Sequence, residues 1–215
     1  MNPWGEIILV FLILANLRLL GSSRLVGSIR VVAAQGAALG LLPLLSGGSG
    51  PIALRAAVIA AGTILLKGVI FPRLLLRTMR GVGVRHEMEP FVGYTSSLLA
   101  GFAGLAISFW IASRMPLAGR QIPALVVSTA LFTILTGLFL IAARRTALNQ
   151  VLGFLVLENG IYVFGLSAVE EVPLLVELGV LLDLFVAVFV MGIAIYHISR
   201  EFEHVDVDEL DRLKG

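Results

Sequence analysis

Seven apolar stretches, each long enough to cross a bilayer, govern what this chain can fold into. They run Trp4–Leu20, Leu25–Leu45, Ile52–Leu76, Phe91–Ser113, Gln121–Ala143, Ala147–Ala168 and Leu174–Ile198. A membrane-spanning helix needs about 20 mostly apolar residues. Together the seven cover nearly three quarters of the 215 residues. The expected fold is therefore all-α: a polytopic integral membrane protein with about seven transmembrane helices.

Composition closes off the alternatives. The chain is 58% apolar and 14% charged, with a mean hydropathy of +0.99. Soluble domains run about 45–50% apolar and about 25% charged, so a soluble globular protein is excluded. So is a disordered chain, which is poor in apolar residues. With no cysteine, a disulfide scaffold, a cysteine-ligated iron–sulfur cluster and a zinc ribbon are excluded as well. The net charge of +2 is small and its carriers are scattered, so nucleic acid is not an expected partner. What lies between the spans is short loops, which leave no room for a soluble catalytic domain. The N-terminus, Met1-Asn2-Pro3-Trp4-Gly5-Glu6, has no basic region, and the first span is expected to stay in the protein.

Lys and Arg set the orientation, because cytoplasmic loops carry them in excess. With the N-terminus outside, the cytoplasmic segments hold Arg18, Arg24, Arg73, Arg77, Arg80, Arg85, Arg144, Arg145, Arg200, Arg212 and Lys214. The outer segments hold only Arg114 and Arg120. This bias supports an odd number of spans and a cytoplasmic C-terminus. Breakers fall in the expected loops: Ser46-Gly47-Gly48-Ser49-Gly50-Pro51 is a flexible turn, and 80–90 is the longest internal loop. Pro72, near the inner end of the third span, is expected to kink or end that helix. Residues 10–24 and 131–145 match at six of fifteen positions, which allows the first three and last three spans to be related units.

Ionisable residues inside the spans carry the functional signal. Each costs at least about 2.5–3.5 kcal/mol at mid-bilayer, so each needs a partner, a cavity or a function. Glu158, near the middle of the sixth span in the run Leu157-Glu158-Asn159-Gly160, is too short to reach a headgroup. A carboxyl there can bind and release a proton within the membrane; the plainer reading is a protonated acid bonded to a neighbouring helix. Asn159 adds a second polar group. Asp183 lies near the middle of the seventh span, and Glu177 six residues earlier, closer to the outer surface. Lys67, in the inner half of the third span, is read three ways: it pairs with a carboxylate of another span or subunit, carries a proton itself, or snorkels to the headgroups. Arg30 and Arg55 are read as snorkelling, and Gln35 as a helix–helix hydrogen bond or part of a hydrated path.

Other patterns read as packing or as solvated surface. Gly93, Ser97, Gly101, Gly104 and Ser108 form a small-residue stripe in the fourth span, the usual means of bringing membrane helices close. Gly153 and Gly160 are expected to do the same beside Glu158. The three histidines, His86, His197 and His204, sit in a loop, near a helix end and in the tail, and make no metal or haem site. The tail from Arg200 to Gly215 carries six acids and three bases. It reads as a solvated acidic tail, or as a clasp on a neighbouring subunit through Val205, Val207, Leu210 and Leu213.

The last three spans resemble the K subunit of respiratory complex I and the C subunit of Mrp-type antiporters. The shared pattern is an Arg pair at the inner end of one helix (Arg144-Arg145), a mid-membrane glutamate in the next (Glu158), and a carboxyl in the third (Asp183 or Glu177). A tail like Val-Asp-Val-Asp-Glu-Leu-Asp-Arg-Leu-Lys-Gly, here 205–215, follows. Counted from the Arg pair, Glu158 falls about three residues later than the K-subunit glutamate, and Leu155 occupies the matching place. Three residues is nearly one helical turn, so the same face is served. The full length, the extra N-terminal helices and the Leu-Glu-Asn-Gly run are similar to hydrogenase-4 component E, a membrane subunit of group 4 nickel–iron hydrogenase complexes.

The expected organisation is an N-terminal three-helix unit over 1–90, a linking helix over 91–120, a K-subunit-like unit over 121–199 and an acidic cytoplasmic tail over 200–215. The resemblance implies a non-redox subunit of a complex I-like or hydrogenase-like assembly in a prokaryotic inner membrane, not catalytic by itself. It implies antiporter-like membrane neighbours and a peripheral redox module. It also implies no cofactor in this chain, the nickel–iron and iron–sulfur centres lying in partner subunits. Its part would be proton or ion translocation through Glu158, Asp183, Glu177, Lys67 and Asn159. A self-sufficient small transporter and a purely structural subunit are the rival readings.

Overall fold

The computed structural model describes residues 2–45, 51–82, 92–114, 123–144 and 146–168. The helices are α1 (Pro3–Leu20), α2 (Leu25–Leu45), α3 (Pro51–Thr63), α4 (Phe71–Val82), α5 (Tyr94–Arg114), α6 (Ala124–Ala143) and α7 (Ala147–Ala168). A π-helical segment, Ile64–Ile70, joins α3 to α4. Among the described residues no strand forms, and six helical stretches are long and apolar enough to cross a membrane. The third of these, Ala57–Arg77, runs through the π segment. The seventh apolar stretch, Leu174–Ile198, lies outside the described residues.

Local chemistry sets the helix ends. Pro3 opens α1, where its missing N–H is no loss, and the Gly21 N–H closes it on the Leu17 carbonyl at 3.2 Å. Pro123 precedes α6, and extended backbone at Arg144 ends it. At Pro72 one of the two expected outcomes is absent. The helix does not end there: the Phe71 N–H reaches back five residues to the Leu66 carbonyl, and α4 continues through the proline. Widening the turn before Pro72 absorbs the ring and the missing donor, so the chain stays helical from Pro51 to Val82.

Small residues decide which helices approach closely, because lipid is as apolar as leucine and gives no hydrophobic drive between helices. α6 and α7 pack backbone to backbone: a Cβ on Gly153 would lie 2.9 Å from the Gly137 carbonyl oxygen, and one on Gly160 2.7 Å from the Ile134 nitrogen. Gly36 and Gly40 of α2 receive Lys67 and Ile64 in the same way, and Gly101 of α5 receives Leu20. The stripe on α5 is thus a packing face at Ser97, Gly101 and Ser108, all buried, while Gly93 is exposed. Outward, the bundle shows Trp4, Leu54, Val58, Leu99 and Trp110, each more than half exposed, as a lipid-facing surface requires.

The interior has two apolar cores. One gathers Leu19, Leu20, Leu25, Ile29, Val32, Phe71, Leu75, Met79, Leu140, Leu148, Val151, Leu152, Leu155 and Val156. The other gathers Leu9, Leu12, Leu39, Val126, Ala130 and Val163. The first holds the ends of α1 and α6 and the beginnings of α2 and α7, so these helices alternate in direction. Between the two cores, on every one of these helices, comes a polar residue: Asn16, Gln35, Thr133, Glu158 and Asn159, all buried.

Candidate functional site

The residues between the cores form two hydrogen-bonded groups. The first joins α1, α2 and α6. The Gln35 side-chain amide donates to Asn16 Oδ1 at 2.8 Å, and Asn16 Nδ2 donates to Thr133 Oγ1 at 2.8 Å. The Thr133 hydroxyl then donates to the Thr129 carbonyl one turn back at 2.7 Å. The donors all run in one direction and stop on the backbone. Gln35 therefore makes a helix–helix bond, one of the two roles its position allowed.

The second group carries charge. Lys67 Nζ lies 2.6 Å from Glu158 Oε1, with both side chains more than nine-tenths buried. Lys67 sits in the π segment and Glu158 in α7. The ammonium also donates to Asn159 Oδ1 at 3.4 Å and lies 5.7 Å from the centre of the Tyr162 ring, one turn beyond Glu158. The lysine of one span thus pairs with the carboxylate of another rather than snorkelling, and Asn159 also accepts from the cation.

Local sequence explains the meeting. Glu158 and Tyr162 are four residues apart and share a helix face, so the carboxylate and the ring approach the same cation. Gly36 lets the lysine backbone close on α2: a Cβ there would collide with Lys67 Cβ. Glu158 stands eleven residues beyond Ala147, the start of α7, or about 16 Å along the axis. That is near the centre of a hydrocarbon core of about 30 Å. A small cavity of about 10 Å³ lies beside Lys67 and Asn159, lined also by Ile29, Val32, Phe71, Pro72, Leu75 and Leu155. It has room for about one water. Leu155, in the place matching the K-subunit glutamate, is a wall of this cavity.

A separate charged contact fastens the end of the bundle that holds the first core. Arg144 is 2% exposed. Its Nη2 donates to the Leu20 carbonyl at 2.9 Å, and its guanidinium lies 4.6 Å from the Tyr94 ring centre. One side chain thus holds the ends of α1, α5 and α6 together. The first arginine of the family-like pair is structural here; Arg145 lies outside the described residues.

Of the other expected site residues, Asp183 and Glu177 lie outside the described residues. Arg30 is exposed on α2, as snorkelling requires. Sequence reasoning missed Asn16, Thr133, Tyr162 and Tyr94. Asn16 carried a readable signal, a lone amide in the run Leu14-Ala15-Asn16-Leu17, and Tyr162 a weaker one in its spacing from Glu158. Thr133 had none, since threonine is common in membrane helices.

Residues 123–215 match the family described as NADH-ubiquinone/plastoquinone oxidoreductase chain 4L. An uncharacterized protein of Mycobacterium tuberculosis, Rv0085, is 34% identical over 94% of this chain and 92% of its own length. Hydrogenase-4 component E of Escherichia coli K12 is 29% identical over 73% of this chain and 72% of its own. The chain is thus similar to hydrogenase-4 component E over most of its length and to chain 4L in its C-terminal part. The component E protein of Shigella flexneri matches to the same extent. No solved structure matches. Glu158, Asn159 and Tyr162 fall in the chain 4L-like part, whereas Lys67 lies before it, so the ion pair joins the two parts of the chain.

Proposed function

We propose that this chain is a non-redox membrane subunit of a complex I-like or group 4 hydrogenase-like assembly, in which it handles protons moved by electron transfer in its partners. The observation that carries the reading is the Lys67–Glu158 pair. A buried pair is weak evidence for stability, because desolvation offsets much of its attraction. Ionisable residues at this depth are rare and mark proton relays and ion pathways. The family supports an assembly of several subunits in a membrane.

In this reading Glu158 takes and gives up the proton. Lys67 is the charged partner of Glu158, and displacement of the ammonium from its contacts with Glu158, Asn159 and Tyr162 is the movement that would couple the proton to the redox cycle. Asp183 and Glu177 are the proposed next stations. The Asn16–Gln35–Thr133 chain is not one: amide N–H groups do not ionise at ordinary pH, and its donors end on a backbone carbonyl. It holds α1, α2 and α6 in register around the pair. Nickel–iron and iron–sulfur centres belong in this proposal to the peripheral partners, antiporter-like subunits flank the chain, and the membrane is the inner membrane of a prokaryote.

Glu158→Gln in the assembled complex tests it. The change keeps size and hydrogen-bonding capacity and removes the titration. Electron transfer with intact assembly and lost proton translocation supports the proposal. Failure of assembly favours a purely structural pair, and unchanged translocation removes Glu158 from the path.

A further inference from the structure

α4 has two faces that the function above leaves unused. Phe71, Leu75 and Met79 are buried in the first apolar core. Arg73 and Arg77, four residues apart and on the opposite side of the helix, are exposed. Arg80 follows at the next turn of the sequence. Arg73 and Arg77 lie at the end of a stretch apolar enough to cross the membrane, Ala57–Arg77, so their face sits where the hydrocarbon meets the headgroups and needs an anionic partner.

The same chain carries one. Residues 201–211 hold six carboxylates, Glu201, Glu203, Asp206, Asp208, Glu209 and Asp211, with no Lys or Arg among them. Counting the apolar stretch Leu174–Ile198 as a seventh span, this tail shares a side of the membrane with the end of α4. At most about 3.3–3.6 Å per residue, its sixteen residues from Arg200 to Gly215 reach about 50 Å, more than enough to lie along α4. An anionic leaflet repels carboxylates, whereas Arg73 and Arg77 have no carboxylate on their own helix. Val205 and Val207 alternate with Asp206 and Asp208, which lets an extended segment turn its acids to the arginines.

We propose that the acidic tail, residues 201–211, docks on the Arg73–Arg77 face of α4 of the same chain. Docking neutralises both partners and clamps the helix that continues directly from the Lys67 turn. Each exposed ion pair is weak and screened by salt, so the attraction comes from several pairs acting together and fades as ionic strength rises.

The absence of cysteine makes the test clean. Leu76→Cys on α4 and Val207→Cys in the tail are introduced together into the full chain, in native membranes with its partner subunits present. Mild oxidation is expected to join them within one polypeptide. Arg73→Glu with Arg77→Glu should cut the yield about tenfold, as loss of two or three exposed pairs implies. Asp206→Lys with Asp208→Lys, which leaves the helices untouched, should cut it equally, and combining the reversals should restore it. Cross-linking only to another polypeptide would overturn the proposal in favour of a clasp on a neighbour. A yield that the arginine reversals lower but the combined reversals do not restore would overturn it in favour of lipid headgroups on α4. A yield indifferent to all reversals would overturn it outright.

Discussion

Lys67 and Glu158 stand 91 positions apart in the sequence and 2.6 Å apart in the fold, one in a π-helical turn and the other on α7, between two apolar cores. Removing one partner leaves the other charged and buried, which costs about 3–5 kcal/mol, whereas replacing both with apolar groups of similar volume is close to neutral. Lys67→Met and Glu158→Leu should each lower the melting temperature in detergent, and the double variant should be more stable than either. A double variant as damaged as the sum of the singles would show that the two side chains do not interact.

The amide chain predicts a different pattern. Asn16→Leu deprives the Gln35 amide of its acceptor and Thr133 of its donor, leaving buried polar groups unmatched at a cost of about 1–3 kcal/mol. Stability should fall by that order in thermal melts. Proton translocation by the assembled fraction should stay within about twofold of the parent, since no amide ionises. Complete loss of translocation from a stably assembled variant would place Asn16 in the path.

The α6–α7 contact should be the least tolerant in the bundle. Gly137→Leu puts a branched side chain where even a Cβ meets the Leu157 nitrogen and the Gly153 carbonyl. The helices must separate, and overpacking of this kind costs about 1–3 kcal/mol or more. The expected result is loss of the chain from the purified complex. Gly62→Leu, on a surface where an added Cβ meets nothing, is the matched control within this chain.

Arg144 gives the fourth test. Arg144→Ala frees the Leu20 carbonyl and removes the cation over Tyr94, and should destabilise by about 1–3 kcal/mol. Arg144→Lys should recover part of that, because an ammonium keeps the charge without the planar fork. Thermal melts of the two variants decide it, and equal losses would mean that geometry rather than charge is what the site needs.

Much of this was legible in the sequence. Apolar runs of bilayer length placed six helices that the structure contains, and Glu158, Lys67 and Asn159 stood out because charge and amide are expensive at that depth. That they meet was not legible. It depends on Gly36 admitting the lysine backbone and on the π turn that sets its direction, and both are tertiary facts. That the helix would not end at Pro72 was not legible for the same reason: a proline breaks an α register, but a preceding π turn has already shifted the hydrogen bonds by one residue. Asn16 was readable yet passed over, because an amide without charge costs less in lipid and draws less notice. Thr133 matters only through its partner.

The central claim is that Glu158 changes its protonation as the complex turns over. A redox-triggered infrared difference spectrum of the assembled complex reads this directly. The account predicts a protonated-carboxyl C=O band that shifts in D2O and is missing from Glu158→Gln. Identical carboxyl bands in the parent and the variant, with both complexes active in electron transfer, would contradict it.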